Sequence, residues 1–440
     1  MTKVNIEQLD LLFTLSGADK HKVYTVCTEN MRRLLENHKD FKDKIKHDLF
    51  ENKTYIRHSG KSDDKWAEIQ DHDIIKIQNK IASMFSFFQK VNRGMVQDAI
   101  AEVASNHTYD SGQDYLKSLK WDGVNRVDNW LTSVYGVEDN IYHRAVASNW
   151  LKGLVKRVMH PGCKFDYVLV LEGEQGTKKS SSLAVLGGNW YVETSMGTDT
   201  KDFFMLLQGK VLIEFSEGET NSRTDVKRMK AIISTGTDRY RPPYGRNMVD
   251  YPRRCVFAMT TNEGQYLKDE TGNRRWLPVK TLHPEANVEW LKENREQLLA
   301  EAYHRVITLE ETIWEFPKEE TRLEQNNRME NDPQQVTIEY WYWNLLGASQ
   351  RNAGVTTEQA YVEAIHKGFP STPMIRYSEM IIGGVYQRMG LKKVRVMEKK
   401  VRINRYFPVT PEPIEEPTKS AEVKQGQLIM SEDDADNAFD

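Results

Sequence analysis

The fold is decided by residues 167–186, which read YVLVLEGEQGTKKSSSLAVL. Residues 167–171 are apolar, as in a buried strand, and residues 180–185 have the pattern of a helix. The turn between them carries glycines, two lysines and a hydroxyl. Glycines let backbone N–H groups converge on phosphate oxygens, and the N-terminus of the helix adds a favourable dipole. This order of elements predicts a nucleotide-binding loop in an α/β domain.

The predicted loop departs from the pattern G-x-x-x-x-G-K-[ST] at one position. Lys179 is the lysine that neutralises phosphate charge and Ser180 the hydroxyl that ligates Mg²⁺, but Lys178 replaces the second glycine. If that backbone needs a positive φ, it costs about 1–2 kcal/mol; alternatively, Gly176 supplies the geometry and Lys178 adds a second cation. A glycine turn with chance lysines is the structural alternative. The predicted nucleotide-binding residues are Gly173, Glu174, Gln175, Gly176, Thr177, Lys178, Lys179, Ser180 and Ser181.

Two more apolar runs, residues 211–215 and 255–259, alternate with helical patterns and predict further strands of a parallel sheet. The first run ends in acids. An NTPase needs one carboxylate to hold Mg²⁺ and another to polarise the attacking water. Glu217 lies just past the strand and is the first candidate for Mg²⁺. Glu214 is either the second acid or a strand residue on the opposite face, and both could be ordinary glutamates of an edge strand.

Polar residues follow the second apolar run. Asn262 stands at its tip, where an amide can contact the γ-phosphate and orient water. Arg274 and Arg275 come twelve residues later, and an arginine that reaches a neighbour's nucleotide stabilises the charge of the transition state. The alternative for this arginine pair is a surface salt bridge.

Residues 238–246, between these two strands, read DRYRPPYGR. Arginines interleaved with tyrosines suit single-stranded DNA, because the cations meet phosphates and the rings stack on bases. A structural loop with packed tyrosines is the alternative. The predicted DNA contacts in this segment are Arg239, Tyr240, Arg241, Tyr244 and Arg246.

The chain of 440 residues is long enough for several domains. We predict a mainly helical N-terminal domain at 1–140, an α/β domain at 141–320, a winged-helix-like domain at 335–409 and a disordered acidic tail at 410–440. The third has two helices followed by a basic strand pair, which suits duplex DNA. Lys392, Lys393 and Arg395 would lie near phosphate there. A solvated basic ribbon that caps an oligomer is the alternative.

The net charge of −3 conceals a basic body. Residues 410–440 hold nine acids and two lysines, so the rest of the chain carries a net charge of +4. The three cysteines are far apart and in no metal-ligand spacing, and no apolar run is long enough for a membrane helix. The sequence predicts a cytoplasmic protein with no disulfide, zinc or membrane partner.

The ordered set GEQGTKKS, VLIEFSE, DRYRPPYGR, FAMTTN and TGNRRW resembles the virulence-associated protein E family. These are NTPases of phages, prophages and pathogenicity islands, related to superfamily 3 helicases. The segments YLKSLKWDGVNR at 115–126 and HPGCK at 160–164 fit the same family, and the similarity spans roughly residues 70–310. The resemblance implies a P-loop AAA+ or superfamily 3 core that assembles as a ring, often a hexamer. It also implies ATP- and Mg²⁺-dependent work on DNA during phage or mobile-element replication in a bacterial host.

The resemblance also implies roles for single residues. Lys179 and Ser180 would be Walker A residues, and Glu217 with Glu214 the Walker B acids. Asn262 would be sensor 1, Arg274 or Arg275 the arginine finger of the adjacent subunit, and 239–246 the pore-facing hairpin. The leading hypothesis is an ATP-dependent helicase or translocase. A DNA-binding scaffold or regulator with weak ATPase activity, which recruits replication factors, is the alternative. The acidic tail either only keeps the protein in solution or recruits a replication protein.

Overall fold

The computed structural model describes residues 9–16, 20–57, 65–194, 200–216, 223–242, 247–267, 273–329, 333–368, 373–399 and 401–411. The chain divides into two compact units, Met1–Glu330 and Asn331–Asp440. The first unit holds both of the domains predicted before residue 320, so the boundary between them stays a prediction. The acidic tail lies outside the described residues from 412 onward.

The first part of unit one combines helices with short strands. The strands are β1 Phe13–Ser16, β2 His21–Tyr24, β3 Ile45–Asp48, β4 Lys53–Arg57, β5 Trp66–Glu68 and β6 Thr108–Tyr109. The helices are α1 Thr28–Asn37, α2 Asp71–Met84, α3 Arg93–Asn106, α4 Ser111–Ser118 and α5 Trp130–Tyr135. Strands β3–β6 form a sheet of order β5-β4-β3-β6, and β1 pairs with β2. Ile74, Ile77 and Ile81, spaced for one helix face, bury α2 in this part's core.

The second part of unit one is the α/β core. Its strands are β7 Val168–Glu172, β8 Tyr191–Thr194, β9 Leu212–Phe215, β10 Thr237–Tyr240, β11 Val249–Pro252, β12 Val256–Thr261 and β13 Trp276–Lys280. Its helices are α6 Ile141–Met159, α7 Lys179–Gly187, α8 Thr200–Leu206, α9 Arg223–Ser234, α10 Val288–Tyr303 and α11 Lys318–Asn327. Short 3-10 turns at Gly188–Trp190 and Asn273–Arg275 and a π-helical turn at His304–Thr308 complete it.

Five of these strands form one sheet of order β13-β7-β12-β9-β8, and every neighbouring pair is parallel. This confirms the predicted parallel sheet of an α/β fold. Strand β7 is buried on both faces: Leu169 and Leu171 belong to one apolar cluster, Val168 and Val170 to another. An apolar run without alternation is the pattern that such a doubly covered strand requires.

The chain order places β7 at a switch point of this sheet. From β7 the chain crosses to the edge strand β8, returns through β9 and β12, and then passes to β13 on the other side of β7. In open parallel sheets, ligands bind beyond the carboxyl ends of the strands at such a point. The fold therefore predicts a ligand-binding site at the carboxyl ends of β7, β12 and β9.

Unit two holds α12 Pro333–Tyr340, α13 Ala348–Asn352, α14 Thr357–Gln359, α15 Arg376–Arg388, β14 Lys392–Glu398 and β15 Val401–Phe407. Trp341–Leu345 and Ala360–Ile365 are π-helical turns. The two strands form an antiparallel ribbon, and Val355 bridges to Tyr406 of β15. Tyr342, Ile382 and Tyr386 form the centre of the core of this unit. Among the described residues of the chain, no helix is both long and apolar enough to span a bilayer.

A buried ion pair holds the β10–β11 hairpin against the α/β core. The Arg253 guanidinium donates to both carboxylate oxygens of Asp238, with an Nε–Oδ2 distance of 3.1 Å, and also to the carbonyl oxygen of Ile232. Both side chains of the pair are at most 1% exposed. The same guanidinium lies 5.3 Å from the centre of the Phe257 ring in β12.

Replacing Asp238 by alanine is expected to lower the free energy of unfolding by about 3–5 kcal/mol, because a guanidinium then stays buried without its counter-charge. Asp250→Ala is the matched control in the same hairpin, since Asp250 meets Arg239 at 3.5 Å with both side chains more than half exposed. That change should cost less than about 1 kcal/mol. Urea unfolding measures both. Equal losses from the two variants would contradict the role given to the buried pair.

Candidate functional site

The turn between β7 and α7, residues 173–178, is the glycine-rich loop, and hydrogen bonds tie it to both neighbouring strands. Gly173 donates its N–H to the carbonyl of Thr261, at the end of β12. Thr281, just after β13, binds the carbonyl of Glu172 through its N–H at 2.8 Å and its hydroxyl at 2.9 Å. A Cβ at position 173 would lie 2.1 Å from the Thr281 hydroxyl. Glycine is therefore required there by close approach.

Lys178 adopts the left-handed conformation, with φ +60°, at the residue before α7. Gly176 also has a positive φ, +84°, so it does not spare Lys178 that conformation. Glycine takes up this conformation without cost, whereas other residues lose about 1–2 kcal/mol. The Lys178 ammonium pairs with Glu285, and both side chains are half exposed. Lys178, which replaces the glycine of the motif, therefore has a strained backbone and a side chain that forms an ion pair at the surface.

Lys179 is 6% exposed, and its ammonium sits within the curl of the loop. It donates to the carbonyl oxygens of Gly173 at 2.8 Å and Glu174 at 2.7 Å. The side-chain oxygens of Thr177 and Asn262 each lie 3.3 Å away. The structure thus brings Asn262, predicted from the tip of β12, to the lysine predicted from the loop.

Glu214 is fully buried in β9 and accepts hydrogen bonds from three hydroxyls. Its Oε1 accepts from Ser180 at 2.6 Å and from Thr260 at 2.7 Å, and its Oε2 accepts from Tyr191 at 2.7 Å. Glu214 therefore lies on the loop side of the sheet, next to the predicted metal-binding hydroxyl. Glu217, the first candidate for Mg²⁺, lies outside the described residues.

Thr260 and Tyr191 had not been singled out from the sequence. Thr260 stands two residues before Asn262, so the polar end of β12 was a usable signal. Tyr191 is the first residue of β8 and belongs to no motif. Its contact with Glu214 depends on β8 pairing with β9, which the sequence does not disclose.

The two predicted finger arginines lie at the other edge of the sheet. They occupy the 3-10 turn before β13, and the register pairs Trp276 with Val168 and Lys280 with Glu172. At about 3.3 Å per residue, the turn is more than about 13 Å from the loop end of β7. Arg275 faces Asp166, with an Nε–Oδ2 distance of 3.4 Å, and Arg274 is exposed. The structure does not bring either arginine to the loop of its own chain.

The predicted DNA-binding segment at 238–246 is partly a packed hairpin. Tyr240 is 6% exposed and stacks on Tyr251, with ring centres 4.6 Å apart. Burial and the neighbouring Tyr251 raise the pKa of Tyr240. Its ring packs within the hairpin, and a contact of Tyr240 with DNA stays a prediction. Arg239 and Arg241 are exposed, while Tyr244 and Arg246 lie outside the described residues.

The ribbon of unit two has two unlike faces, because residues opposite each other in an antiparallel pair share a face. Lys393 is opposite Tyr406, Arg395 opposite Asn404, and Arg402 opposite Met397. This gives one face with three cations. Lys392 belongs to the other face, which also holds the ion pair of Arg405 with Glu398 and five apolar residues: Val394, Val396, Val401, Ile403 and Phe407. Lys392, Lys393 and Arg395 are all exposed, as predicted for phosphate contacts, but on different faces.

Comparison with known proteins gives one family match. Residues 116–332 match the model of the virulence-associated protein E-like domain. Two apo structures of the NrS-1 C-terminal region, both of its A form, are similar at TM-scores of 0.45 and 0.46 with 12% and 13% identity. Each similarity covers 83% of this chain and 96% of the other. A search of curated proteins found no match.

The strain at Lys178 is tested by comparing two substitutions there. Lys178→Gly and Lys178→Ala both remove the ion pair with Glu285, but only glycine adopts the left-handed conformation freely. We expect the glycine variant to be more stable than the alanine variant by about 1 kcal/mol in urea unfolding. A more stable alanine variant would mean that the position carries no strain.

Proposed function

We propose that this chain is an ATP-dependent DNA helicase or translocase of phage or mobile-element replication. Its core would be of the P-loop AAA+ or superfamily 3 type. The match of residues 116–332 to the virulence-associated protein E-like domain supports the proposal. One observation carries the proposal: a buried lysine inside the loop stands beside a serine whose hydroxyl lies 2.6 Å from a buried carboxylate. A cation, a hydroxyl and an acid in this order are what phosphoryl transfer from ATP requires.

Nucleotide binding would exchange partners at Lys179. The ammonium is held by two backbone carbonyls, and phosphate oxygens of ATP would take their place as the stronger, charged acceptors. The N-terminus of α7 begins at the same residue and favours negative charge. Asn262, 3.3 Å from the Lys179 ammonium, would contact the γ-phosphate and orient the attacking water.

The residues that would hold Mg²⁺ are Ser180 and Glu214. Hydroxyl and carboxylate oxygens are the ligands this ion prefers, so the donor set fits. When bound, the ion neutralises phosphate charge. Glu214 would orient the Ser180 hydroxyl, since it accepts that proton at 2.6 Å. Glu217 would be the second acid, which polarises water or completes the metal site, a role that rests on its sequence position alone.

A ring is proposed because neither of the two predicted finger arginines lies at the loop of its own chain. Arg274 and Arg275 lie on the edge of the sheet opposite the loop. An arginine finger from this pair would therefore act on the nucleotide of an adjacent subunit, with ATP hydrolysed at the subunit interfaces of a ring, which would be a hexamer. Such a finger stabilises the negative charge that develops during phosphoryl transfer.

DNA would be contacted at two places. The exposed Arg239 and Arg241, with Arg246, would meet single-stranded DNA in the pore of the ring. Lys392, Lys393 and Arg395 would grip duplex phosphates from the ribbon of a winged-helix-like unit. The acidic tail would recruit a replication protein, and the cytoplasm of a bacterial host would be the place of action.

The alternative is a DNA-binding scaffold or regulator with weak ATPase activity. Lys178 favours it, because a strained residue replaces the glycine of the motif and its ammonium is drawn to Glu285. Under this alternative the DNA-binding surfaces would act without turnover.

The deciding experiment measures ATP hydrolysis with and without single-stranded DNA. We expect DNA to stimulate turnover and Lys179→Ala to lower it by at least about a hundredfold, because a preorganised charge at the phosphates is lost. Lys292→Ala is the control and should retain activity, since the Lys292 ammonium pairs with Glu289 on the exposed surface of α10. Turnover that neither needs Lys179 nor responds to DNA would overturn the motor proposal. Strand displacement then separates a helicase from a translocase.

A further inference from the structure

Tyr191 reaches Glu214 from the edge strand of the sheet. It is the first residue of β8, and its hydroxyl donates to Glu214 Oε2 at 2.7 Å. A Cβ on Gly187, at the end of α7, would lie 2.7 Å from the Tyr191 Cβ. Because Gly187 has no side chain, the last residue of α7 can pack directly against Tyr191. The helix that carries Ser180 at its start thus abuts, at its end, the residue that binds Glu214.

The hydrogen bonds of Glu214 leave little freedom to its carboxylate. Two oxygens offer about four acceptor positions. Ser180 and Thr260 take two on Oε1, and Tyr191 takes one on Oε2. Without the tyrosine hydroxyl, Oε2 would have no hydroxyl partner within the described part of the chain, and the carboxylate could rotate away from Ser180.

The Tyr191 hydroxyl is the donor in this contact, because a carboxylate oxygen can only accept. The edge strand β8 therefore holds Oε2 of Glu214 from the side opposite to Ser180 and Thr260, which hold Oε1.

We propose that Tyr191 is a positioning residue. It holds Glu214 in the orientation in which Glu214 and the Ser180 hydroxyl together bind Mg²⁺. The inference rests on the proposed ATPase function and adds to it a residue outside every motif of the loop and the strands. Partners of this kind, which orient a metal site without touching the ion, typically change metal affinity by about 10–100-fold when removed. Nucleotide binding through Lys179 should not depend on Tyr191, because no contact joins them among those the structure describes.

A purely structural role makes a different prediction. If Tyr191 only supplies a hydrogen bond to the buried Glu214, its loss lowers the stability of the core. The folded variant then has the same Mg²⁺ midpoint for nucleotide binding as the wild type. The dependence on Mg²⁺ therefore distinguishes positioning from stability.

The test compares Tyr191→Phe with Tyr135→Phe, a matched control. Tyr135 is buried, and its hydroxyl lies 2.7 Å from Ser182 on the same helix α7, but not at Glu214. A fluorescent, non-hydrolysable ATP analogue is titrated with and without EDTA, and Mg²⁺ is then titrated at a fixed analogue concentration. For Tyr191→Phe, we expect unchanged affinity in EDTA and an Mg²⁺ midpoint raised about tenfold or more. Tyr135→Phe should leave the midpoint unchanged.

The outcomes separate the two proposals. An unchanged midpoint in a folded Tyr191→Phe protein, checked by thermal unfolding, overturns the positioning role and leaves the proposed function intact. An equal shift in both variants also overturns it, because the effect would then come from the core. If the wild type binds Mg²⁺ and the analogue but hydrolyses no ATP, the motor proposal fails while Tyr191 is still tested. If the wild type shows no Mg²⁺-dependent binding, both proposals fail.

Discussion

A carboxylate shared by three elements is the constraint on which the α/β core depends. Glu214 lies in β9, between β12 and the edge strand β8, and is fully buried. A buried charge is tolerated only when its hydrogen bonds are supplied. Helix α7, strand β12 and strand β8 each supply one hydroxyl. The three hydroxyls therefore reach the buried acid only when α7, β12 and β8 are all in place.

The loop meets a second constraint, which is the close approach of a neighbouring side chain. A side chain on Gly173, the first residue of the loop, would displace the Thr281 hydroxyl, and Lys178, just before the helix, has a left-handed conformation. Gly173 has no side chain and fits the first position, whereas Lys178 adopts a conformation that is unfavourable for a residue with a Cβ. The same turn geometry can thus persist after the motif has lost a glycine, because the neighbouring strands and helix hold the loop in place.

Much of the core could be predicted from the sequence, because buried parallel strands are continuous apolar runs. The strands around 168–172, 212–215 and 256–261 and the family match at 116–332 agree with what the sequence indicated. The short strands of the N-terminal sheet, two to five residues long, carry too little pattern to be recognised. The face of Glu214 depends on strand register, and the stacking of Tyr240 depends on the pairing of β10 with β11. Such facts are set by tertiary pairing, which one sequence does not reveal.

The ammonium of Lys179 is already satisfied by the loop's own carbonyls. This buried ammonium therefore has hydrogen-bond acceptors even when no ligand is bound. A ligand that binds here must compete with those carbonyls for the Lys179 ammonium. Its measured affinity is therefore the difference between the new contacts and the hydrogen bonds that they replace. Weakly charged ligands gain little from such an exchange. Selectivity for highly charged anions can thus arise from the resting state of the lysine itself.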